Sequence, residues 1–407
     1  MNKKLMAVAI AGALAVPGIA FAQASSVTIS GMFKVGVESL NYSTPPTSTT
    51  RLNQSQMRVV DNSSRIIFTA VEDLGGGLSA IGNLDVRFAP DQASAAPTSN
   101  PIGSGNTYVG LRSTSMGTLT LGRWDLHYGK GPSEMTRGAG ALQASDVSLF
   151  DYIGSTAIAN TSRTQNVVKY ETPNWSGFSG ILAWSANPVG NTEADMSATN
   201  AAGVNTRKGD GWNINPKYSN GPFEAEYSYW RAKPDAPVAA AAAVGATANL
   251  TTGVVTAATP AVAATLDQRG DSLTAKYSFG GFKVGLGWNR SKLENANTGI
   301  KAQERTTWSV AGQYKTGPHS IYAHFDKAGD FSTSAGTTSN SGARMLALAY
   351  EYSLSKRTSV AATYAKINND ANINYNFFTS ASLGSTDAVP GKGESPRLLQ
   401  LSILHLF

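Results

Sequence analysis

Three features of the 407-residue sequence predict an all-β fold, a transmembrane antiparallel β-barrel of about sixteen strands. Apolar and polar residues alternate along most of the chain, as they do in strands that have one apolar face. Short turns alternate with long polar segments, so the short connections fall on one side of the sheet. The chain ends on an aromatic residue, Phe407. We interpret this ending as a last strand that pairs with the first and closes the barrel.

The stretch SVTISGMFKVGVESL shows the alternation clearly. Val27, Ile29 and Phe33 fall on one face of a strand, whereas Lys34 and Glu38 fall on the other. The stretch SRIIFTAVEDLGGGLSAIGNLDVRF continues the pattern on both sides of a glycine triplet, which predicts a hairpin with a tight turn. A soluble all-β protein would also alternate, but its loop lengths need not segregate to one side of the sheet.

Turn residues divide the chain into strands. Short turns, expected on the periplasmic side, are predicted at 75–77, 113–117, 174–177, 219–222, 279–281, 315–318 and 353–356. Long polar segments, expected to be extracellular loops, lie near 40–56, 90–105, 127–163, 189–209, 231–266, 291–302, 329–341 and 369–394. The segment 231–266 is rich in Ala, Thr, Val and Pro, and its prolines favour a long external loop over a helix.

Residues 1–22 have the features of a secretory signal peptide. Lys3 and Lys4 precede an apolar run, which ends near the small-x-small sequence at 20–22. We expect residues 23–407 to form one barrel domain, because no later segment is apolar enough for a transmembrane helix. The formal net charge of +6 is mild and forms no concentrated basic stripe, so we expect no nucleic-acid partner. Candidates for the aromatic belts at the membrane interfaces are Trp175, Trp184, Trp230, Trp288 and Trp308.

Several motifs, taken in order and spacing, resemble the trimeric general porins of beta-proteobacteria. They are SSVTISG, EDLGGGLSAIGNLD, YVGLRS, GTLTLGR, SRTQNVVKYETPNWSGF, YEYSLSKRTS and the terminal Phe407. The resemblance extends from Ser26 to Phe407. It implies a homotrimeric porin of the cell outer membrane, a water-filled channel for passive diffusion of ions and small hydrophilic solutes. The implied partners are outer-membrane lipid, lipopolysaccharide and the barrel assembly machinery, with Phe407 as the assembly signal, and no cofactor is implied.

The resemblance also implies that the third long loop, about 127–162, folds into the lumen and narrows it. Acidic residues of this loop would face a ladder of arginines on the opposite wall. The loop acids are Glu134, Asp146 and Asp151. By motif, the ladder arginines are Arg65, Arg123 and Arg163.

Residue alternation supports an inward position for two of these arginines. Arg65 is in phase with polar Thr69, and Arg163 is in phase with Lys169. The parity of the preceding leucines points Arg123 outward unless a β-bulge or the strand end intervenes. Three further residues on polar faces are possible lumen residues: Lys34, Asp85 and Arg87. We expect Asp85 to pair with Arg87.

If these arginines outnumber the loop acids, the channel would weakly prefer anions. Two alternatives stay open: a substrate-selective outer-membrane channel, and a barrel whose loops act in adhesion. We predict no enzyme, because none of the four histidines has a convincing serine or acidic partner in the sequence. We also predict no metal site, since cysteine is absent and no histidine pair has ligand spacing.

Overall fold

A sheet of sixteen antiparallel strands closes on itself in the computed structural model. The first and last strands pair continuously from Met32 with Leu406 to Ser43 with Ser395. This pairing leaves the last strand no free edge and confirms the closed barrel predicted from the C-terminal sequence. The structure describes residues 25–43, 55–91, 102–126, 131–157, 163–186, 188, 209–233, 247–249, 254–256, 266–296, 298–378 and 390–407.

The strands follow one another around the barrel in chain order. They are β1 (Ser26–Ser43), β2 (Ser55–Asp61 and Arg65–Gly75), β3 (Leu78–Arg87), β4 (Thr107–Ser113), β5 (Gly117–Trp124), β6 (Thr164–Glu171), β7 (Phe178–Ser185), β8 (Asp210–Asn220), β9 (Phe223–Lys233), β10 (Leu266–Phe279), β11 (Phe282–Asn295), β12 (Lys301–Thr316), β13 (His319–Ala328), β14 (Ala343–Ser353), β15 (Thr358–Asn369) and β16 (Ser395–Leu406). Both segments of β2 pair with β1, so β2 is one strand with a short interruption.

All seven predicted turns lie between the strands that the sequence indicated. The long connections at the opposite end are named loops 1 to 8 in chain order. Loop 3 contains two 3₁₀ helices (Met135–Arg137 and Leu142–Ala144), a short α-helix (Val147–Phe150) and a small hairpin (Tyr152–Ile153 and Thr156–Ala157). Small hairpins also occur in loop 5 (Thr247–Asn249 and Val254–Thr256) and loop 7 (Ser332–Thr333 and Gly336–Thr337). The predicted signal peptide and most of loop 5 lie outside the described residues.

The outer face of the barrel is apolar, as the alternation predicts. On β16, Leu399, Leu401 and Ile403 are 55%, 63% and 49% exposed, while the residues between them point inward. Among the described residues, no helix combines the length and apolar character needed to span a bilayer. Of the expected belt tryptophans, Trp288 and Trp308 form an exposed cross-strand pair. The expectation is wrong for Trp230, which is 1% exposed and packs inside the barrel.

A glycine lets the C-terminal residue close the seam between β16 and β1. The backbones of Gly31 and Phe407 exchange two hydrogen bonds of 3.2 Å. A Cβ atom on Gly31 would overlap the carbonyl oxygen of Arg65 and the ring of Phe407. Glycine is therefore required where β1 passes between β2 and the end of β16.

We expect Gly31→Ala to destabilise the barrel by roughly 1–3 kcal/mol, the usual cost of overpacking. The matched control is Gly312→Ala on β12, where a new Cβ would meet no atom within 4 Å. The measurement is the temperature at which the folded barrel converts to the unfolded form, read as a shift in electrophoretic mobility. Equal transition temperatures for the two variants would contradict the requirement for glycine at the seam.

Candidate functional site

Loop 3 lies inside the barrel and is attached to the wall formed by β12–β16 and β1. Inward side chains on successive strands bond its backbone. The pairs are Arg305 with Phe150 O (3.0 Å), His324 with Ala144 O (2.8 Å), Glu351 with Ala139 N (3.2 Å), Thr363 with Ala141 N (3.1 Å), Ser402 with Ala139 O, and Lys34 with Thr136 O (3.0 Å). These bonds satisfy loop backbone groups that would otherwise be buried without partners.

Apolar contacts fix the same loop. Met135, Ala144 and Leu149 are fully buried. They belong to a cluster with inward residues of β14 and β15, several of which are alanines. Because these wall residues are small, they leave space for loop 3 inside the barrel. Apolar burial and hydrogen bonds together hold the loop in this position. The prediction that the third loop narrows the lumen is confirmed.

Loop 8 also enters the lumen and contacts loop 3. Phe378 N donates a hydrogen bond to Ser148 Oγ at 2.7 Å. Ile373 and Tyr375 are buried in the cluster that holds loop 3. The constriction is therefore built from two loops, and the sequence analysis predicted only one.

The interruption of β2 positions the start of the opposite wall. The carboxylate of Asp61 accepts hydrogen bonds from Ser63 N (2.9 Å) and Ser64 N (3.0 Å), while Ser63 has a φ of 87°. Asn62 Oδ1 accepts a bond from Leu142 N in loop 3 at 2.9 Å. The strand resumes at Arg65. The interruption thus connects loop 3 to the strand that carries the first ladder arginine.

Four of the predicted basic residues lie close together on this wall. Arg65 is the direct cross-strand partner of Arg87. Arg163, just before β6, lies within electrostatic range of Arg87 and Arg123. Burial and these two neighbours lower the pKa of Arg163 to about 10, so its guanidinium remains charged at neutral pH. The strands β2, β3, β5 and β6 therefore present a basic surface, and loop 3 bonds this side of the barrel through Asn62 at the interruption of β2.

Arg123 reaches this surface through the bulge that the sequence required. Gly122 has a φ of 149°, and the pairing of β5 with β6 shifts register between Gly122 and Trp124. The shift explains how a residue with outward parity joins the basic surface. Trp124 itself is stacked on Tyr108 with ring centroids 4.1 Å apart, and Lys169 Nζ lies 3.5 Å from its ring centroid. Both faces of this indole are therefore covered.

The ladder arginines differ from Arg87 in their pairing. Arg87 forms a buried ion pair with Asp85 at 2.9 Å, as the sequence suggested. Within the described part of the chain, Arg65, Arg123 and Arg163 form no ion pair with a carboxylate. Asp85, which pairs with Arg87, is also within electrostatic range of Arg65 and Arg163.

The expectation that the loop acids face these arginines is wrong for Asp146 and Glu134. Asp146 is buried, accepts a bond from Ser133 N at 2.8 Å and lies beside His324 of the wall behind the loop. Asp151 is fully buried, and Glu134 pairs with Lys276 of β10. Burial raises the pKa of Asp146 above that of an ordinary carboxyl group. Glu134 thus faces β10 and Asp146 faces β13, because a lysine and a histidine of the wall lie there.

Lys34 is also placed differently from expectation. Its side chain is 1% exposed and donates to Thr136 O, so it anchors loop 3 and does not line an open lumen. Two further anchors were missed by sequence reasoning: Arg305 and His324. Both lie on inward polar faces, but alternation alone does not show which inward residues a distant loop will cover. His324 Nδ1 lies 3.0 Å from Asp326 Oδ2, an acidic partner that the sequence analysis overlooked.

Comparisons with known proteins agree with this architecture. The chain matches the family model for the Gram-negative porins over residues 7–372. It is 29% identical over 227 residues to the major outer membrane protein P.IB of Neisseria meningitidis serogroup B, covering 56% of this chain and 58% of that relative. It is 25% identical over 421 residues to the major outer membrane protein P.IA of Neisseria meningitidis serogroup C, covering 94% and 99% of the two chains.

A solved structure shares the fold. The anion-selective porin from Comamonas acidovorans superposes with a TM-score of 0.68 and 20% identity, over 94% of this chain and 100% of that one. The P.IB match spans little more than half of that relative, whereas the family model spans most of this chain. The family resemblance inferred from the motifs is confirmed: the chain belongs to the Gram-negative porin family and is a protein of the outer membrane.

Proposed function

We propose that the barrel is a water-filled channel for passive diffusion of ions and small hydrophilic solutes, with a weak preference for anions. One observation carries the proposal. Loop 3 is attached mainly to the wall on one side of the lumen, and the opposite wall carries three arginines that form no ion pair among the described residues. The proposal includes no catalytic activity and no cofactor.

The anion preference follows from the charges that remain unpaired. Guanidinium groups stay charged at physiological pH and attract anions in a narrow aqueous passage. Loop acids that faced these groups would reduce the effect. Asp146 and Asp151 are buried, and Glu134 pairs with Lys276. The net charge of the described side chains at the basic surface is therefore positive.

We further propose a homotrimer that contacts outer-membrane lipid and lipopolysaccharide. One solved structure of similar fold, OmpT of Vibrio cholerae at 15% identity, is described as a trimer form. The exposed apolar residues of the barrel exterior suit lipid or a neighbouring copy. Phe407, held in the seam by Gly31, is proposed as the residue through which the terminal strand contacts the assembly machinery.

The direct test is conductance of the purified oligomer in a planar bilayer under a salt gradient. We expect ohmic steps that occur in groups of three and a reversal potential of the sign produced by anion flow. Detergent carried through the same purification without protein is the control. Conductance blocked by one particular solute would favour the substrate-selective channel. Absence of conductance would overturn the proposal and favour a role of the loops in adhesion.

A further inference from the structure

One histidine joins loop 3 to the barrel wall through both of its ring nitrogens. His324, on the inner face of β13, places Nδ1 3.0 Å from Asp326 Oδ2 and Nε2 2.8 Å from Ala144 O. Asp326 belongs to the same strand, whereas Ala144 belongs to loop 3. All three residues are buried.

Both acceptors constrain the protonation of this group. A backbone carbonyl oxygen only accepts hydrogen bonds, so Nε2 must carry a proton. A carboxylate likewise only accepts, so the contact with Asp326 requires a second proton between Nδ1 and Oδ2. A neutral imidazole has one proton and cannot satisfy both contacts. With Asp326 ionised, the geometry therefore requires His324 to be an imidazolium paired with that carboxylate.

Among the described residues, one further titratable group lies beside the ring. Asp146 of loop 3 lies so close that one atom of each carboxylate and of the ring fall within 4.8 Å of one another. The neighbouring strands place Ala311 of β12 and Ala347 of β14 beside His324, and neither side chain titrates. The groups that face the ring are thus Asp326 from its own strand and Asp146 from the loop.

We propose that His324 is a positioning residue that holds loop 3 against the wall only while its ring is charged. When the ring loses its second proton at alkaline pH, the Nδ1 lone pair faces the carboxylate of Asp326. The charge of Asp146 then has no adjacent cation from β13. Both changes weaken the attachment, so the Leu142–Phe150 part of the loop moves away from β13 and the constriction widens. The effect on conduction rests on the proposed channel function, whereas the movement of the loop does not.

A spin label in loop 3 tests the movement without relying on conduction. The natural chain has no cysteine, so Val147→Cys creates one labelling site beside Asp146 at a partly exposed position. We expect the label to become more mobile as the pH rises from about 6 to about 10. With His324→Gln the label should be mobile throughout. With His324→Arg, a permanent cation with several donors, the pH response should be lost and the label should remain immobile.

Two controls separate this charged contact from general effects. His319→Gln removes a histidine at an exposed position on the same strand and should leave the pH response of the label unchanged. Asp326→Asn removes the carboxylate while keeping its shape, and it should increase label mobility at neutral pH. This second variant keeps the test open if the arginine variant does not fold.

Conductance recorded on the same samples separates the two proposals. If the channel conducts, we expect its conductance to increase with pH in the wild type and to lose this dependence in both His324 variants. If it does not conduct, the channel proposal fails while the label still tests the loop. A label equally immobile in the wild type and in His324→Gln at every pH would overturn the inference. Stoichiometric zinc bound to the purified wild type and lost in His324→Gln would also overturn it, because a metal would then occupy the position assigned to the proton.

Discussion

Replacing Arg305 with methionine is expected to detach the end of loop 3 from β12 and to lower the free energy of unfolding by about 3 kcal/mol, since buried acceptors would lose a charged donor. The side chain is 1% exposed. Its guanidinium donates to the carbonyl oxygens of Phe150 and Tyr152 in the loop and to Asn289 Oδ1 on the wall. Methionine fills much of the volume but supplies no donor, so the main change is the loss of these bonds.

The matched control is Arg290→Met on the neighbouring strand β11. Arg290 pairs with Glu304, and its side chain is 54% exposed, so we expect a loss below about 1 kcal/mol. Unfolding is measured by the heat-induced shift in electrophoretic mobility, and loop detachment by a larger single-channel conductance. If both variants have the same unfolding temperature and the same conductance, Arg305 is not the anchor of loop 3 that the hydrogen bonds indicate.

The barrel could be predicted from the sequence because its determinants are local. A strand between lipid and water alternates with a period of two, and each short turn requires a few turn residues at fixed positions. Leu399, Leu401 and Ile403 therefore revealed the outward face of β16 without any knowledge of its neighbours. The interruption of β2 was not predicted. The interruption depends on hydrogen bonds from the backbone of Ser63 and Ser64 to the carboxylate of Asp61. The polar run 61–64 is short, so the alternation of apolar and polar residues around it does not reveal a break in the strand.

The basic wall was predictable to the extent that residue parity fixes side-chain direction. Parity placed Arg65 inward and Arg87 beside Asp85, and the structure agrees. The family resemblance indicated where loop 3 lies and which acidic residues it carries. It did not indicate which wall of the barrel the side chains of these acids face. Asp146 lies on the side of loop 3 that faces β13, beside His324 and Asp326. Almost 180 residues of sequence separate Asp146 from these two residues. Contacts at such separation leave no periodic signal in the sequence.

Neutralising the ladder with Arg65→Gln, Arg123→Gln and Arg163→Gln together is expected to shift the selectivity of the channel toward cations. An ion in water about 8 Å from each guanidinium would experience roughly 0.5 kcal/mol per charge. Three such charges stabilise an anion and destabilise a cation by about 1.5 kcal/mol each, a difference of about 3 kcal/mol before screening. Screening in roughly 0.1 M salt reduces this difference by about half, which leaves roughly a tenfold change in the anion-to-cation permeability ratio. The measurement is the reversal potential across a bilayer under a gradient of a simple salt.

Measurements at different salt concentrations and on a matched variant show whether the ladder arginines cause the ion selectivity. The Debye length falls from about 10 Å at 0.1 M to about 3 Å at 1 M, so the shift should be large in dilute salt and small in concentrated salt. The control removes the same net charge from exposed arginines outside the lumen: Arg344, Arg357 and Arg397. If selectivity depends on total charge, both triple variants will change the reversal potential equally. A change confined to the ladder variant would assign selectivity to the basic wall, and an unchanged potential in a conducting ladder variant would remove these arginines from the mechanism.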